Sequence, residues 1–292
     1  MAGQWALLHL RDQSKRLNPR AQPNKRKTII FFLFFHILVV FQMSKVKGIV
    51  LCGGKGKRLR PLTHYIQKTM VPLGVKQKPL LEYVVRLFNF HGIKDLVFLV
   101  NYRAEQIVNY FEDGSRFNVN ISYIEDDPSS KGTGGAVLTA YNKGAVNSKD
   151  TLLVYYGDII TNMNLTDLLS YHRTKKAWGT VALSSGFKVR VGMANLDSDG
   201  KILGFEEKPT LEKLVSVGIS VLRGDMLEDM KGLKGEKQEL DLMGEVFPHL
   251  LKVGKPVYGY VSNAFWYDVL STEAYEKLDP KLVDDMFREI LG

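Results

Sequence analysis

From Met43 onward, short apolar runs of strand length alternate with longer stretches of helical periodicity, and nothing else in the sequence constrains the fold as strongly. Val46–Cys52 is apolar and leads into a Gly/Lys/Arg loop, Gly53–Thr63. Pro79–Gly92 sets Leu80, Leu81, Val84, Val85, Leu87 and Phe88 at helical spacing, with Gly92 as its C-terminal stop. Leu96–Val100 reads as a buried strand, Ala104–Phe111 as a helix and Val119–Ile124 as an alternating strand. Gly132–Ala145 is a helix opened by glycines, Leu152–Tyr156 a strand stopped at Gly157-Asp158, and Leu165–Lys175 a helix capped by Asn164. Such a βαβαβαβα order demands crossovers that cover both faces of a mostly parallel sheet with helices, so the fold class is α/β.

After Trp178 the rhythm changes. Thr180–Ser184, Val189–Leu196 and Lys201–Glu207 are strand-like, with Asp197-Ser198-Asp199-Gly200 as a hairpin turn. Val215–Leu222 is a further strand, Asp241–Val253 a helix and Pro256–Ser262 a strand running toward Trp266-Tyr267-Asp268; helices over Thr272–Leu278 and Pro280–Leu291 follow. No Pro/Ser-rich linker divides 43–292, so this stretch is expected to be a single domain with a smaller antiparallel lobe. No hexapeptide β-helix period is present.

Residues 1–42 stand apart. They hold Arg11, Lys15, Arg16, Arg20, Lys25, Arg26 and Lys27 against Asp12 alone, which is most of the net charge of +9. The body is close to balanced, so the basicity does not mark a nucleic-acid binder. Thr28–Phe41 is almost unbroken in apolar character but shorter than the roughly 20 residues of a bilayer span, and no small-residue cleavage site follows it. The expectation is a start at Met43, with 1–42 outside the fold and no stable membrane span; a tether or an export signal are the alternatives. Cys52 is the only cysteine, which excludes a disulfide framework and fits a cytoplasmic protein.

The loop Leu51-Cys52-Gly53-Gly54-Lys55-Gly56-Lys57-Arg58-Leu59-Arg60-Pro61-Leu62-Thr63 combines glycines, which let backbone N–H groups approach oxyanions, with positive charge. It is not a P-loop, because no Gly-Lys-Ser/Thr follows at the required spacing. It is not a dinucleotide fingerprint either, since Leu59 stands where a third glycine belongs.

The full string resembles the L-x-G-G-x-G-x-R-L-x-P-L-T signature of the sugar-1-phosphate nucleotidyltransferases, and further matches follow in that family's order. Gln67-Lys68-Thr69-Met70-Val71-Pro72 is similar to P-K-x-M-x-P, with Gln67 for the proline. Gly132-Thr133-Gly134-Gly135-Ala136 is similar to G-T-A-G-A, and Tyr156-Gly157-Asp158 matches the Gly-Asp strand end. Phe205-Glu206-Glu207-Lys208-Pro209 matches F-x-E-K-P. Trp266-Tyr267-Asp268-Val269-Leu270-Ser271 resembles W-x-D-x-G-T, with Leu270 and Ser271 as departures.

The resemblance implies a Rossmann-like nucleotide-diphospho-sugar transferase fold, with a nucleoside triphosphate and a sugar 1-phosphate as partners and Mg²⁺ as cofactor. It implies Arg58, Lys68 and Asp158 as catalytic residues. Leu51, Gly53, Gly54, Gly56, Gly132 and Thr133 would bind the nucleotide. Gly192, Glu207, Lys208 and Gly218 would bind the sugar phosphate, and Asp158 with Asp268 would hold the metal. A homo-oligomer is compatible with it, and Ala136 tilts the base toward thymidine or uridine.

Each residue also has an ordinary reading. Lys68 and Arg58 could be surface charges, Asp158 a turn residue after Gly157, and Cys52 simply packed. Two other functions share these residues: a regulatory homologue that binds nucleotide sugars without turnover, and a transferase acting on a non-sugar phosphate such as phosphocholine.

Overall fold

The computed structural model describes residues 45–291 except 186, 189–191, 208, 209, 212 and 270. The expectations about 1–42 therefore lie outside the described residues. In chain order the main elements are β1 (Val46–Leu51), α1 (Leu80–Phe90), β2 (Asp95–Val100), α2 (Ala104–Phe111), β3 (Asn120–Glu125), α3 (Gly132–Asn142), β4 (Thr151–Tyr156), β5 (Ile159–Thr161) and α4 (Leu165–Thr174). They continue as β6 (Gly179–Ser184), β7 (Met193–Leu196), β8 (Ile202–Glu206), β9 (Val215–Arg223), α5 (Met226–Lys234), α6 (Phe247–Lys252), β10 (Val257–Val261), β11 (Trp266–Asp268), α7 (Thr272–Lys277), α8 (Pro280–Met286) and α9 (Arg288–Leu291).

The central sheet has seven strands in the order β10-β6-β9-β4-β1-β2-β3. β1 pairs in parallel with both β4 and β2, and β2 with β3, while β9 runs antiparallel between β4 and β6. Successive residues face opposite sides of a strand, so a sheet covered on both faces needs apolar residues at every position. The sequence meets this demand. Val50, Leu96, Phe98, Leu153 and Tyr155 join the core beneath α1, α2 and α4, while Ile49, Val97, Leu99, Leu152 and Val154 join the core beneath α3, α5 and α6.

Local signals act as read. The Asn164 side chain caps α4 by accepting from Asp167 N at 3.1 Å, and Gly92 takes φ +70° just past α1. The turn Asp197–Gly200 closes the β7–β8 hairpin, with Asp197 Oδ1 accepting from Asp199 N at 3.0 Å and Lys201 N at 2.9 Å.

Other expectations change. Asp241–Val253 is not one regular helix: Leu242–Val246 is π-helical, capped by the Asp241 side chain, and α6 begins only at Phe247. Pro280–Leu291 divides into α8 and α9 at Phe287, whose ring packs edge-on against Tyr83 at 5.2 Å. The strand expected over Val189–Leu196 is described only from Met193. Helix α5 had no counterpart in the sequence reading; its buried residues are Met226, Leu227 and Met230, too few for a strong apolar stripe.

Candidate active site

A cavity of about 800 Å³ opens at the carboxyl ends of β1, β2 and β4. Open parallel sheets bind ligands at this end, because the loops that leave it are free to vary without breaking the sheet. Leu51, Gly53, Gly54, Arg58, Lys68, Gly132, Thr133, Asp158, Gly218 and Asp268 all line it, so residues far apart in sequence converge.

The loop after β1 is held from both sides. Cys52 N donates to Leu99 O and Gly157 N to Leu51 O, at 2.9 and 3.0 Å. Cys52 is fully buried and burial pushes its thiol well up, so it packs rather than reacts. Gly56 adopts φ +57°, a left-handed conformation that a side chain would strain, and a Cβ there would stand 2.8 Å from Lys68 Cβ. It borders a smaller adjoining cavity, also lined by Arg58 and Lys68. A Cβ on Gly54 would lie 3.0 Å from Lys68 Nζ, so the bare backbone is what lets Lys68 reach the cavity.

Gln67, the departure from the family's proline, turns out to be a structural anchor. It is fully buried; its Nε2 donates to Cys52 O, and its Oε1 accepts from Thr69 N and Thr69 Oγ1 at 2.5 and 2.7 Å. Its own N–H, which a proline would lack, donates to Gln106 Oε1 at 2.7 Å. One side chain thus ties the base of the phosphate loop to the short turn Lys68–Met70 that presents Lys68.

Lys68 Nζ meets Asp158 Oδ2 at 2.5 Å, with the carboxylate only 6% exposed. Asp158 sits in the tight turn between β4 and β5. Strand β11 pairs with β5 so that Asp268 lies opposite Ile159, and Val269 N donates to Asp158 O at 3.1 Å. The two acids are therefore on neighbouring backbones at one wall of the cavity. Among the described residues no group of three or more His, Cys, Asp or Glu is placed to hold a metal ion. Two carboxylates fit a Mg²⁺ ion that takes its remaining oxygens from phosphates and water, the usual manner for this ion, and do not fit an all-protein cage.

The adjoining part of the lining is shaped by a bulge. Between Ser216 and Ser220 the register of β9 against β6 shifts, and Gly218 takes φ +74° against Ile159 and Tyr156. This turns Val215, Ser216, Val217 and Gly218 toward the cavity.

Thr133 lines the cavity, but its hydroxyl is already engaged, donating to Asp241 Oδ2 at 2.9 Å and accepting from Leu242 N at 2.8 Å. Gly134 N and Gly135 N at the start of α3 donate to Leu240 O at 2.8 and 3.1 Å, so these amides are taken by protein rather than offered to an anion. Gly192 and Glu207 sit together, since a Cβ on Gly192 would be 3.1 Å from Glu207 Oε2, but neither lines the main cavity. Lys208 lies outside the described residues. Asp126 and Met243 line the cavity without belonging to any of the sequence motifs, and Tyr156, quoted only as part of the Gly-Asp strand end, lines it too. Burial pushes the Asp126 carboxyl and the Tyr156 phenol upward.

This arrangement belongs to a recognisable class. Residues 47–285 match the nucleotidyl transferase family, and the chain is a member of it. It is 33% identical over 238 residues to a UTP–glucose-1-phosphate uridylyltransferase of Synechocystis sp., covering 77% of this chain and 60% of that protein. It is 29% identical to a mannose-1-phosphate guanylyltransferase of Mycobacterium tuberculosis, covering 82% and 65%. The chain thus spans about 60–65% of the length of these curated relatives. A solved structure from Bacillus anthracis, described as a glucose-1-phosphate thymidylyltransferase in complex with a sucrose, superposes with a TM-score of 0.66 at 23% identity, covering 82% of this chain and 94% of that one. That likeness carries the fold.

Proposed function

We propose that this protein transfers a nucleoside monophosphate from a nucleoside triphosphate to a sugar 1-phosphate, giving a nucleotide sugar and pyrophosphate. The observation that carries the reading is the Lys68–Asp158 pair in a cavity that Arg58 and Asp268 also line. The relatives named for sugar-1-phosphate substrates support it.

Both substrates are polyanions, so the catalytic task is to neutralise and align them; no enzyme nucleophile is needed. A phosphate oxygen of the sugar 1-phosphate attacks the α-phosphorus in line. The new P–O bond forms as the bond to the β-phosphate oxygen breaks, and its electron pair leaves with pyrophosphate. Arg58, whose planar fork matches phosphate oxygens, stabilises the charge growing on that leaving group. Lys68 spans the α-phosphate and the incoming phosphate. The backbone of Gly53 and Gly54 admits the nucleotide closely because no side chain intervenes. Asp158 and Asp268 are the residues that would hold Mg²⁺, and when bound this ion supplies further charge neutralisation at the phosphates. Gly218, Glu207 and Lys208 are assigned to the sugar phosphate, a hexose phosphate in this reading. A cytoplasmic setting agrees with the single, buried thiol.

Pyrophosphate release from the full-length protein with Mg²⁺, a set of triphosphates and several hexose 1-phosphates tests the proposal. Release should require both substrates. Lys208→Ala should raise KM for the sugar phosphate more than KM for the nucleotide, and the reverse pattern would show that the two sub-sites have been exchanged.

A further inference from the structure

The cavity has an order imposed by the sheet. Its lining runs from Asp126, just past β3, through Leu99 on β2 and Leu51 on β1, to Asp158 after β4 and Gly218 on β9. Phosphate-binding groups occupy the middle of this row: Arg58, Lys68 and Asp158. Beyond them, the β9 side leads to the bulge and the antiparallel lobe. The β2–β3 side is different in character, with Leu51, Leu99 and Ala136 as apolar walls and Asp126, just past β3, whose carboxylate reaches back to the Gly53 backbone on the side of the glycine loop away from Lys68. The amides of Gly134 and Gly135 on this side are already bonded to Leu240 O, so they are not offered to a phosphate. A recess with apolar walls and a carboxylate beside them suits a nucleobase.

A carboxylate on the wall of a cavity that receives polyanions is electrostatically adverse unless a ligand brings donors to it. Asp126 is held in place: its N–H donates to Val100 O at 3.0 Å, and Asn101 Nδ2 approaches its Oδ2 at 3.4 Å, a long and weak contact. Oδ2 also lies against the Gly53 backbone, where a Cβ would come within 2.5 Å of it. The group is half-buried and facing the recess.

An ionised carboxylate offers acceptors only, two side by side. Of the common bases, guanine alone presents two adjacent donors, N1–H and the 2-amino group. Uracil and thymine flank their single N3–H with carbonyls, while adenine and cytosine pair an amino group with a ring acceptor. We infer that Asp126 selects a guanine nucleotide by accepting from N1–H and the 2-amino group together. This replaces the pyrimidine tilt drawn from Ala136. The inference rests on the proposed nucleotidyl transfer only for which end of the cavity holds the phosphates.

Inosine triphosphate, which keeps N1–H and lacks the 2-amino group, is the sharpest probe. Equilibrium titration of the full-length protein with Mg²⁺ and GTP, ITP, UTP, dTTP, ATP or CTP should show GTP binding roughly 10- to 100-fold more tightly than ITP, with the others no tighter than ITP. In Asp126→Asn the amide keeps one acceptor and turns a donor toward the 2-amino group, so the GTP/ITP ratio should fall to within about threefold while the thermal midpoint holds. UTP, dTTP, ATP or CTP binding as tightly as GTP overturns the inference, as does an unchanged GTP/ITP ratio in Asp126→Asn. An equal loss for every base in that variant also overturns it, since Asp126 would then be holding the ribose. Pyrophosphate release is scored separately: GTP-selective binding without any sugar-phosphate-dependent release sinks the proposed transfer and leaves this inference intact.

Discussion

Lys68 Nζ stands 2.5 Å from Asp158 Oδ2, so the cation assigned to the phosphates and the carboxylate assigned to the metal neutralise each other across the site. With side-chain exposures of 17% and 6%, neither charge is well served by water alone. Substrate phosphates and a cation would take over these roles, exchanging one set of partners for another. Lys68→Met should therefore lower kcat by about 10²–10³ through lost stabilisation of the transition state. Steady-state kinetics checks this, and a change in nucleotide KM alone would reduce Lys68 to a binding residue.

Gln67 is the second link to Lys68. Replacing it by Ala leaves Cys52 O without its side-chain donor and removes the acceptor for Thr69, at a fully buried position. The expected loss is about 2–4 kcal/mol, from unmade buried hydrogen bonds and a cavity. Chemical denaturation measures it. Activity should fall further than stability explains, because the turn Lys68–Met70 loses its cap.

Glu82 on α1 gathers Lys78 at 2.5 Å, Arg86 at 2.7 Å and the Tyr110 hydroxyl around a carboxylate that is almost fully buried. Burial alone would raise its pKa, but the hydrogen bonds from Lys78, Tyr110 and Arg86 together hold it below the ordinary 4.5. The folded chain therefore releases this proton more readily than the unfolded one. The stability so gained is present above pH 4.5 and is lost as pH falls through the folded value. Glu82→Gln should cost about 1–3 kcal/mol at pH 7 and flatten the stability profile below pH 4.5. Urea denaturation between pH 3 and 7 is the measurement.

His172 on α4 titrates in a different window. Burial, helped by Arg173 and Arg223, pushes its imidazole from 6.5 down to about 4, and Nδ1 lies 2.9 Å from Thr180 Oγ1. Between those values the unfolded chain takes up a proton that the folded chain refuses, so stability should fall as pH drops from about 6.5 toward 4. Thermal midpoints at pH 7.5 and 5 should differ less in His172→Gln than in the unaltered protein.

The parts of the fold that follow from periodicity were readable before any coordinates. Strands β1, β2 and β4 and helices α1, α2 and α4 appear within a residue or two of their apolar patterns, because each must cover or be covered by a sheet face. Helix α5 was not read because only three of its residues are buried. The break at Phe287 was not read because it is set by contact with Tyr83, far away in sequence. Lys68 and Asp158 were legible as members of motifs, but their direct contact was not, since nothing local brings residue 68 to residue 158. Asp126 illustrates the remaining gap. It is the middle one of three consecutive acids after a strand, ordinary in sequence, and becomes notable only where the sheet sets it on the wall of the cavity beside Gly53.

Asp158→Asn tests the central claim most directly. Formation of nucleotide sugar and pyrophosphate, followed by phosphorus NMR with Mg²⁺, a triphosphate and a hexose 1-phosphate, should require both substrates in the unaltered full-length protein. The Asn variant should retain its thermal midpoint within a few degrees while its rate drops by at least about 10²-fold. Triphosphate breakdown that ignores the sugar phosphate, or an Asn variant that works at the normal rate, would contradict the account.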